Sequence, residues 1–445
     1  MFKKTLHRNV ATVIFAVLIV ITIIPVNMVA FSSVQDEQYI LEAYIDAIFG
    51  EGFMRNQQKA LEVHDQIVNS LPRNRSGEIT YPDFFAGFYL DTDGNLVMLI
   101  TEPTSRNTIA HEQTSIYSPI SRDAMVYELI STYSSFVSYR IVEFSYTELH
   151  EVLDLYLDNL EERLGLNCIY ARNVVGAGID REANRLRVRI ENYNTKMMEG
   201  FKQYLLNSPM VVFEQSKRHL PLIPEDTFAS YCYEVAEETY VGIMPLSARI
   251  NPGDRVSTRF ITLTQRGTMG YRVRRESDNA VGFITSCHIF NPDGPGTGMR
   301  VYPHSAGASH VGTVESRRND SRIDASFVIT RETPGNTLPL HGSQLGTAVP
   351  TSFVQNQVVA MFGASTGGVS MGNVLDPHYN ATLGGRLRNG MVLTNINAQV
   401  GDSGGVVTTS TFATAGIVGW GISGGRDMIF VPAHRINRDL GVRRY

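Results

Sequence analysis

Apolar residues in the first half of the chain recur mostly at the spacing of one helix face. Residues 145–164 place four large apolar side chains three or four positions apart, which predicts an amphipathic helix. Residues 39–49 show the same spacing over a shorter length. Within residues 184–190 (NRLRVRI), three apolar residues instead alternate with three arginines, the period of a half-buried strand. The first half is therefore predicted to be an α+β region.

The pattern changes in the second half, where short apolar runs are interrupted by Gly, Pro and Asn. Turn signals follow every 8–15 residues, and helical spacing returns only at Ala433 to Leu440. Many short strands with frequent turns predict an antiparallel β-barrel or sandwich. The apolar runs lie at 270–275, 280–285, 310–314, 325–329, 357–363 and 414–422.

The amino-terminal segment has the pattern of a secretory signal. Lys3, Lys4 and Arg8 precede an uninterrupted apolar run over residues 10–24. Fifteen residues are fewer than the ~20 that span a bilayer, but a run extended over residues 10–30 could just cross it. The protein is therefore expected to be secreted, with a membrane anchor facing the outside as the alternative.

Charge divides the chain at the point where the hydrophobic pattern changes. The 445 residues carry a net charge of −5, which suggests no nucleic-acid partner. Residues 241–445 contain 19 arginines, no lysine and 12 carboxylates, whereas the first 240 residues contain 20 basic and 32 acidic residues. We therefore predict a signal segment at 1–32, an α+β region at 33–235 and a β domain at 236–445. We call the last two the early region and the late region.

Three cysteines, Cys168, Cys232 and Cys287, are too few for a disulfide-stapled scaffold. No CxxC spacing is present, so the sequence predicts no zinc site. A link between Cys232 and Cys287 is possible and is left open by the sequence.

The most specific chemical signal is the run GDSGG at residues 401–405. A nucleophilic serine needs a tight turn, and flanking glycines let backbone amides converge where an oxyanion forms. This pattern indicates Ser403 as nucleophile, with the amides of Gly401 and Ser403 as oxyanion donors. The alternative is a glycine-rich hairpin without chemistry, because all five residues favour turns.

A serine nucleophile needs a base and an orienting acceptor. His288 ends the apolar run AVGFITSCH, which fixes a side chain better than a loop does. Asp324 opens the apolar run DASFVI and can be desolvated and aimed at the histidine. Asp320 is the competitor, but its polar neighbours indicate a solvated loop. The order His288, Asp324, Ser403 is that of chymotrypsin.

In its motifs, the late region resembles the chymotrypsin family, and most closely the bacterial branch that contains α-lytic protease and the streptogrisins. The motifs follow one another in the family's order over residues 268–442. The resemblance implies two six-stranded β-barrels with the site between them, and peptide-bond hydrolysis through an acyl-enzyme. The motifs are TMGYRVRRESDNAVGFITSCH, HVGTV with DASFV, FGASTGGVSMGNV, GDSGG and FVPAHRINRDLGV.

Two departures from the family pattern concern the surroundings of the triad. Gly419 stands where a serine normally supports the aspartate, which removes one hydrogen bond from Asp324. Met361 stands where the bacterial branch has an arginine that pairs with the aspartate before the nucleophile. Asp402 is therefore expected to need another cation. Arg386, Arg388 or a new amino terminus made by cleavage near Val241 are the candidates.

Substrate preference follows from the positions that match the family's binding pocket. Asn397 stands where trypsin-like members carry an acid, so a preference for Lys or Arg is not expected. Residues Gly419, Trp420 and Gly421 match the family's substrate-binding strand, and Gly421 suggests an open pocket wall. We expect uncharged residues before the scissile bond.

Together these features predict an exported serine endopeptidase made as a zymogen. Its expected partners are a protein or peptide substrate and its own acidic pro-region (residues 33–235), docked on the basic protease. No metal or organic cofactor is implied. The alternative is a non-catalytic protease-fold module that binds or senses at the cell surface.

Overall fold

A computed structural model describes most of the chain, and the described residues from Leu41 onward form one compact unit. The predicted signal segment lies outside the described residues. Within the described part, no helix is long and apolar enough to cross a membrane. The described ranges are 34–102, 132, 137–221, 249–259, 264–290, 297–303, 310–340, 342–383, 386–422 and 425–445.

Both predicted helices of the early region are present. The helix predicted at 145–164 begins with a capping box, in which the Ser145 hydroxyl accepts the Glu148 amide proton and the Glu148 carboxylate accepts that of Ser145. The helices are α1 (Val34–Phe49), α2 (Phe53–Ser70), α3 (Tyr146–Gly165), α4 (Ile169–Arg172), α5 (Thr195–Tyr204) and α6 (Ala433–Leu440).

The strands of the early region form two groups. A three-stranded sheet has the order β1-β2-β3, and a second group contains β4, β5 and β6. The predicted strand at 184–190 is β5. The strands are β1 (Phe85–Leu90), β2 (Leu96–Thr101), β3 (Val137–Val142), β4 (Val174–Asp180), β5 (Arg185–Ile190), β6 (Val211–Gln215) and β7 (Leu220–Pro221).

The first half of the late region is an antiparallel sheet with the order β21-β10-β11-β14-β13-β12-β8-β9. Only three residues connect β9, at one end of this order, to β10 near the other end, so the sheet curls into a barrel. The strands are β8 (Arg255–Arg259), β9 (Thr264–Thr268), β10 (Arg272–Arg275), β11 (Val281–Thr285), β12 (Arg300–Pro303), β13 (Gly312–Asn319), β14 (Asp324–Thr330) and β21 (Val442–Arg443).

The second half of the late region is a closed six-stranded barrel. The order β15-β18-β19-β20-β17-β16 is closed by pairing between β15 and β16. Two barrels after an α+β region confirm the predicted fold class. The strands are β15 (Val358–Gly363), β16 (Gly368–Leu383), β17 (Arg386–Thr394), β18 (Val406–Thr409), β19 (Thr414–Gly421) and β20 (Met428–Pro432).

The early region extends the second barrel through β16. Asn380 and Ala381 of β16 pair with Ala177 and Gly176 of β4, which places β4, β5 and β6 in the same sheet. A Cβ on Gly176 would collide with the Tyr379 side chain. The early strand can therefore approach the barrel this closely only because it carries glycine here.

Helix α2 docks on the same barrel with an apolar patch and one buried amide. Phe53 and Met54 are buried in one cluster with residues of the late region. The fully buried Gln57 accepts the Val358 amide proton at 2.6 Å and donates to the Ser410 hydroxyl at 3.1 Å. This contact therefore combines apolar burial with satisfied polar groups.

Ion pairs between the two regions have the opposite polarity from the one expected. The charge count predicts carboxylates of the early region on arginines of the late region. Between described residues, the early region instead supplies Arg189, and the late region supplies Asp427. His219 also lies 3.9 Å from Asp427, but burial lowers its pKa to about 3, so it is neutral and forms no ion pair. The Arg189 to Asp427 distance is 3.0 Å. The direct contacts therefore follow local packing and not the overall charge imbalance.

Candidate active site

The structure brings the three predicted triad residues together between the two barrels. His288 lies in a single 3-10 turn, Cys287–Ile289, directly after β11. Its Nε2 is 2.8 Å from Ser403 Oγ, and its Nδ1 contacts Asp324 Oδ2. The His288 amide also donates to Asp324 Oδ1 at 3.0 Å. One carboxylate therefore fixes both the backbone and the ring of the histidine.

Burial and charge act against each other at Asp324. The carboxylate is fully buried, and burial alone would favour its neutral form. Contact with His288 and the charge of the Arg388 guanidinium outweigh that penalty, so the pKa of Asp324 lies below its ordinary value. The acceptor is therefore ionised and can hold the Nδ1 proton of His288.

The turn that carries Ser403 depends on glycine for its shape. Gly401 has φ 101°, a conformation that residues with a Cβ rarely adopt. Thr268 holds the turn from the other barrel, because its hydroxyl donates to the Gly401 carbonyl and its amide to the Ser403 carbonyl, both at 2.8 Å. Neither the Gly401 nor the Ser403 amide donates to another described residue. Both are available for a substrate oxygen.

The aspartate beside the nucleophile differs from the expectation. Asp402 does not pair with Arg386 or Arg388 as proposed from the sequence. Its carboxylate accepts the amides of Ser365, Thr366 and Gln399 at 2.8, 3.0 and 2.8 Å, and also the Thr366 hydroxyl. These four donors solvate the buried charge in the uncleaved chain. The third candidate, a new amino terminus near Val241, lies outside the described residues.

The predicted substrate-binding strand is β19, and the early region covers its edge. Pro221 of β7 pairs with Trp420, and Leu220 pairs with Gly421. The next carbonyl along β19, that of Gly419, is 3.5 Å from Ser403 Oγ. The last described residues of the early region therefore lie where an extended peptide would reach the serine.

Two further sequence predictions concern the pocket residue Asn397 and the cysteines. Asn397 is exposed, and its carbonyl accepts the Ser370 hydroxyl at 3.3 Å, so it is not packed against the triad. Cys168 and Cys287 are free thiols, and Cys232 lies outside the described residues. The disulfide considered for Cys232 and Cys287 therefore involves a residue outside the described part of the chain.

The sequence did not predict the roles that two residues near the triad have in the structure. Thr268 anchors the serine turn, and Arg388 lies with its Cζ 4.6 Å from the centre of the Trp420 ring. Trp420 in turn is 5.8 Å from the His288 ring. Neither position carries a sequence signal, because threonine is ordinary in a strand and the run RLRNG is typical of a solvated strand.

The early region matches two family models. Residues 49–126 match a Pro-like N-terminal domain, and residues 147–216 match a Pro-like C-terminal domain. The resemblance to bacterial chymotrypsin-like proteases is confirmed. A search of curated proteins found no match.

Several solved structures of bacterial proteases are similar to this chain. A chymotrypsin of Cellulomonas bogoriensis is 22% identical with a TM-score of 0.36, covering 44% of this chain and 98% of that one. Protease A of Thermobifida fusca is 23% identical with a TM-score of 0.37, covering 44% and 98%. An α-lytic protease homologue is 18% identical with a TM-score of 0.36, covering 44% and 99%.

Proposed function

We propose that this protein is an exported serine endopeptidase made as a zymogen. The observation that carries the proposal is the chain of contacts from Asp324 through His288 to Ser403, with 2.8 Å between His288 Nε2 and Ser403 Oγ. That distance lies within reach of direct proton transfer. Protein or peptide substrates are expected, and export rests on the signal pattern over residues 1–32.

The proposed reaction uses each of these groups in turn. His288 Nε2 takes the proton of Ser403 as Oγ attacks the peptide carbonyl, and the Gly401 and Ser403 amides bind the oxygen that becomes negative. The imidazolium then protonates the leaving amine, and the acyl group stays on Ser403. Water, deprotonated by His288, attacks the acyl carbon and releases the acid. Asp324 stabilises the imidazolium without changing its own protonation.

A fluorophosphonate tests this proposal directly. We expect the purified protein to be labelled at Ser403 and the label to be lost in His288→Ala, because an unassisted serine is a weak nucleophile. Mass spectrometry of the labelled peptide identifies the site. A folded protein that stays unlabelled after the early region has been removed would favour the non-catalytic binding module.

Inhibition by the early region is proposed from the β7 pairing. Because β7 covers β19, substrate cannot pair with that edge until the segment is cut or displaced. Extending the register of Leu220 and Pro221 by one position aligns residue 222 with Gly419, beside Ser403. Residue 222 itself lies outside the described residues.

We therefore predict that the first self-cleavage falls between Leu222 and Ile223. Sequencing the amino terminus of the first product should begin at Ile223, and Leu222→Asp should slow that cut by about tenfold or more because a charged side chain is costly to desolvate. Leu220→Ala serves as a control that keeps the segment uncharged. A first product that begins near Val241 in every variant would contradict this register.

Two buried groups at the junction of the regions should respond to pH in opposite directions. Burial and Arg189 lower the pKa of His219 to about 3, and neither of its ring nitrogens has a hydrogen-bond partner among described residues. Burial raises the pKa of Asp376, beside Gly178 of β4, to about 7. Stability from neutral His219 is present above pH 6.5 and lost as pH falls towards 3. Stability from neutral Asp376 is present below pH 3.8 and lost as pH rises through 7.

We predict that removing either group changes how the free energy of unfolding depends on pH, because the two groups no longer offset each other. Between pH 7 and pH 5 each group changes the free energy of unfolding by about 2 kcal/mol, with opposite signs. All chains carry Ser403→Ala, so that they stay at full length. Relative to that parent, the His219→Phe chain should gain stability on acidification, and the Asp376→Asn chain should lose it. Urea unfolding at both pH values measures the difference, and equal slopes in all three chains would contradict the prediction.

A further inference from the structure

Arg388 is a buried cation that joins two neighbours of the triad. Its side chain projects from β17, and the residue is only 5% exposed. Nη1 donates to the Asp320 carbonyl and Nη2 to the Asn319 side chain, both at 2.6 Å. The guanidinium carbon is 4.6 Å from the centre of the Trp420 ring, a cation–π distance.

These contacts act on the segment that presents Asp324. Asn319 ends β13 and Asp324 opens β14, so the turn between them decides where the carboxylate points. Nη1 also lies 3.5 Å from the carbonyl of Ile323, the residue directly before Asp324. On its other side, Arg388 contacts the ring that packs against His288. Arg388 therefore restrains both the turn before Asp324 and the Trp420 ring beside His288, without reaching Ser403.

The charge of Arg388 also acts on the triad. It helps to keep Asp324 ionised against the effect of burial. Other ionisable groups nearby do not replace it. The Cys287 thiol is neutral because burial raises its pKa to about 11, Asp320 is an anion, Arg386 is exposed, and the half-buried Arg317 donates to the Phe290 carbonyl. Asp324 thus has one buried arginine beside it in the described part of the chain.

The glycine at position 419 explains why Asp324 needs a buried cation beside it. The resemblance places a serine hydroxyl there as support for the aspartate, and Gly419 has no side chain. Arg388 Nε is buried without a hydrogen-bond partner among described residues, so burying this guanidinium carries a desolvation cost. A buried guanidinium held by three carbonyl or amide oxygens is suited to supplying a fixed positive charge.

We propose that Arg388 is the positioning residue of the triad. It fixes the geometry of the turn from Asn319 to Asp324 and supplies the charge that replaces the missing hydroxyl at position 419. The proposal rests on the proposed protease function, because it concerns how His288 is made an effective base.

The test compares Arg388→Met, Arg388→Lys and the control Arg386→Met, which removes an exposed arginine two residues away on the same strand. The rate of fluorophosphonate labelling at Ser403 is measured from pH 5 to pH 9 on the purified parent protein and on each of the three variants. We expect Arg388→Met to slow labelling at pH 7 by about 30-fold and to move the acidic limb of the profile up by about one pH unit, because a positive charge near the imidazole is lost. Arg388→Lys should keep the limb within a few tenths of a unit.

Three outcomes separate the possibilities. A parent chain that labels normally while Arg388→Met leaves the limb in place overturns the proposal and leaves the protease function intact. An equal movement of the limb in Arg386→Met also overturns it, because the effect is then one of overall charge. A parent protein that is never labelled at Ser403, even after the early region has been removed, overturns the protease function itself. If circular dichroism shows that Arg388→Met is unfolded, Arg388→Gln provides the uncharged variant.

Discussion

Ser403→Ala should lower peptide hydrolysis by about 10⁵- to 10⁶-fold and leave the chain at full length. The reason is that Ser403 Oγ is the atom that His288 Nε2 contacts at 2.8 Å, and alanine removes the nucleophile while the oxyanion amides stay in place. Turnover of a chromogenic peptide and the size of the expressed chain are the two measurements. Accumulation of the full-length chain would show that removal of the early region is self-catalysed.

The control for this variant is Ser352→Ala, at an exposed position before β15. It should process and turn over substrate like the parent. Processing of Ser403→Ala at the parental rate would mean that another protease makes the cut. Undiminished peptide hydrolysis by purified Ser403→Ala would contradict the proposed mechanism.

Asp324→Asn should lower kcat by about 10⁴-fold while the protein stays folded. The amide is nearly the same size as the carboxylate, so the packing of this fully buried residue is kept. Its NH₂ group, however, can donate to His288 Nδ1 and force the proton onto Nε2. The ring then cannot accept the proton of Ser403, because the accepting nitrogen is already protonated.

The matched control is Asp320→Asn, the alternative that the sequence left open. The Asp320 carboxylate caps the turn by accepting the amides of Arg322 and Ile323 and contacts Arg318, but it does not reach His288. We expect less than a tenfold loss of kcat in this variant. The opposite ranking of the two variants would show that the orienting carboxylate has been assigned to the wrong residue.

The meeting of the three candidate residues could be predicted because each sits at a point where the local sequence already restricts the backbone. GDSGG fixes a turn through Gly401, and apolar strands fix the ends from which His288 and Asp324 project. The helix at Tyr146–Gly165 was predictable for a similar reason, since its apolar spacing and its capping residue are local. In each case the deciding interactions lie within a few residues of one another.

The surroundings of the triad could not be predicted in this way. Asp402 is solvated by amides and a hydroxyl from residues 365–399, where the sequence suggested a cation. Arg388 was one candidate for that cation and is instead buried against Trp420. The polarity of the Arg189 to Asp427 pair is the reverse of what the total charges suggested.

The sequence by itself determined the strand and helix periods, the change from an α+β pattern to a β pattern along the chain, and the order of the three candidate triad residues. Only the tertiary structure decided which groups solvate the buried charges and that β7 lies on β19 beside Ser403. The physical reason is the separation along the sequence over which each kind of interaction acts. Periodicity and turn preference are set by neighbours along the chain, whereas the partner of a buried charge is whichever donor the fold brings within hydrogen-bond distance, however far away it lies in the sequence.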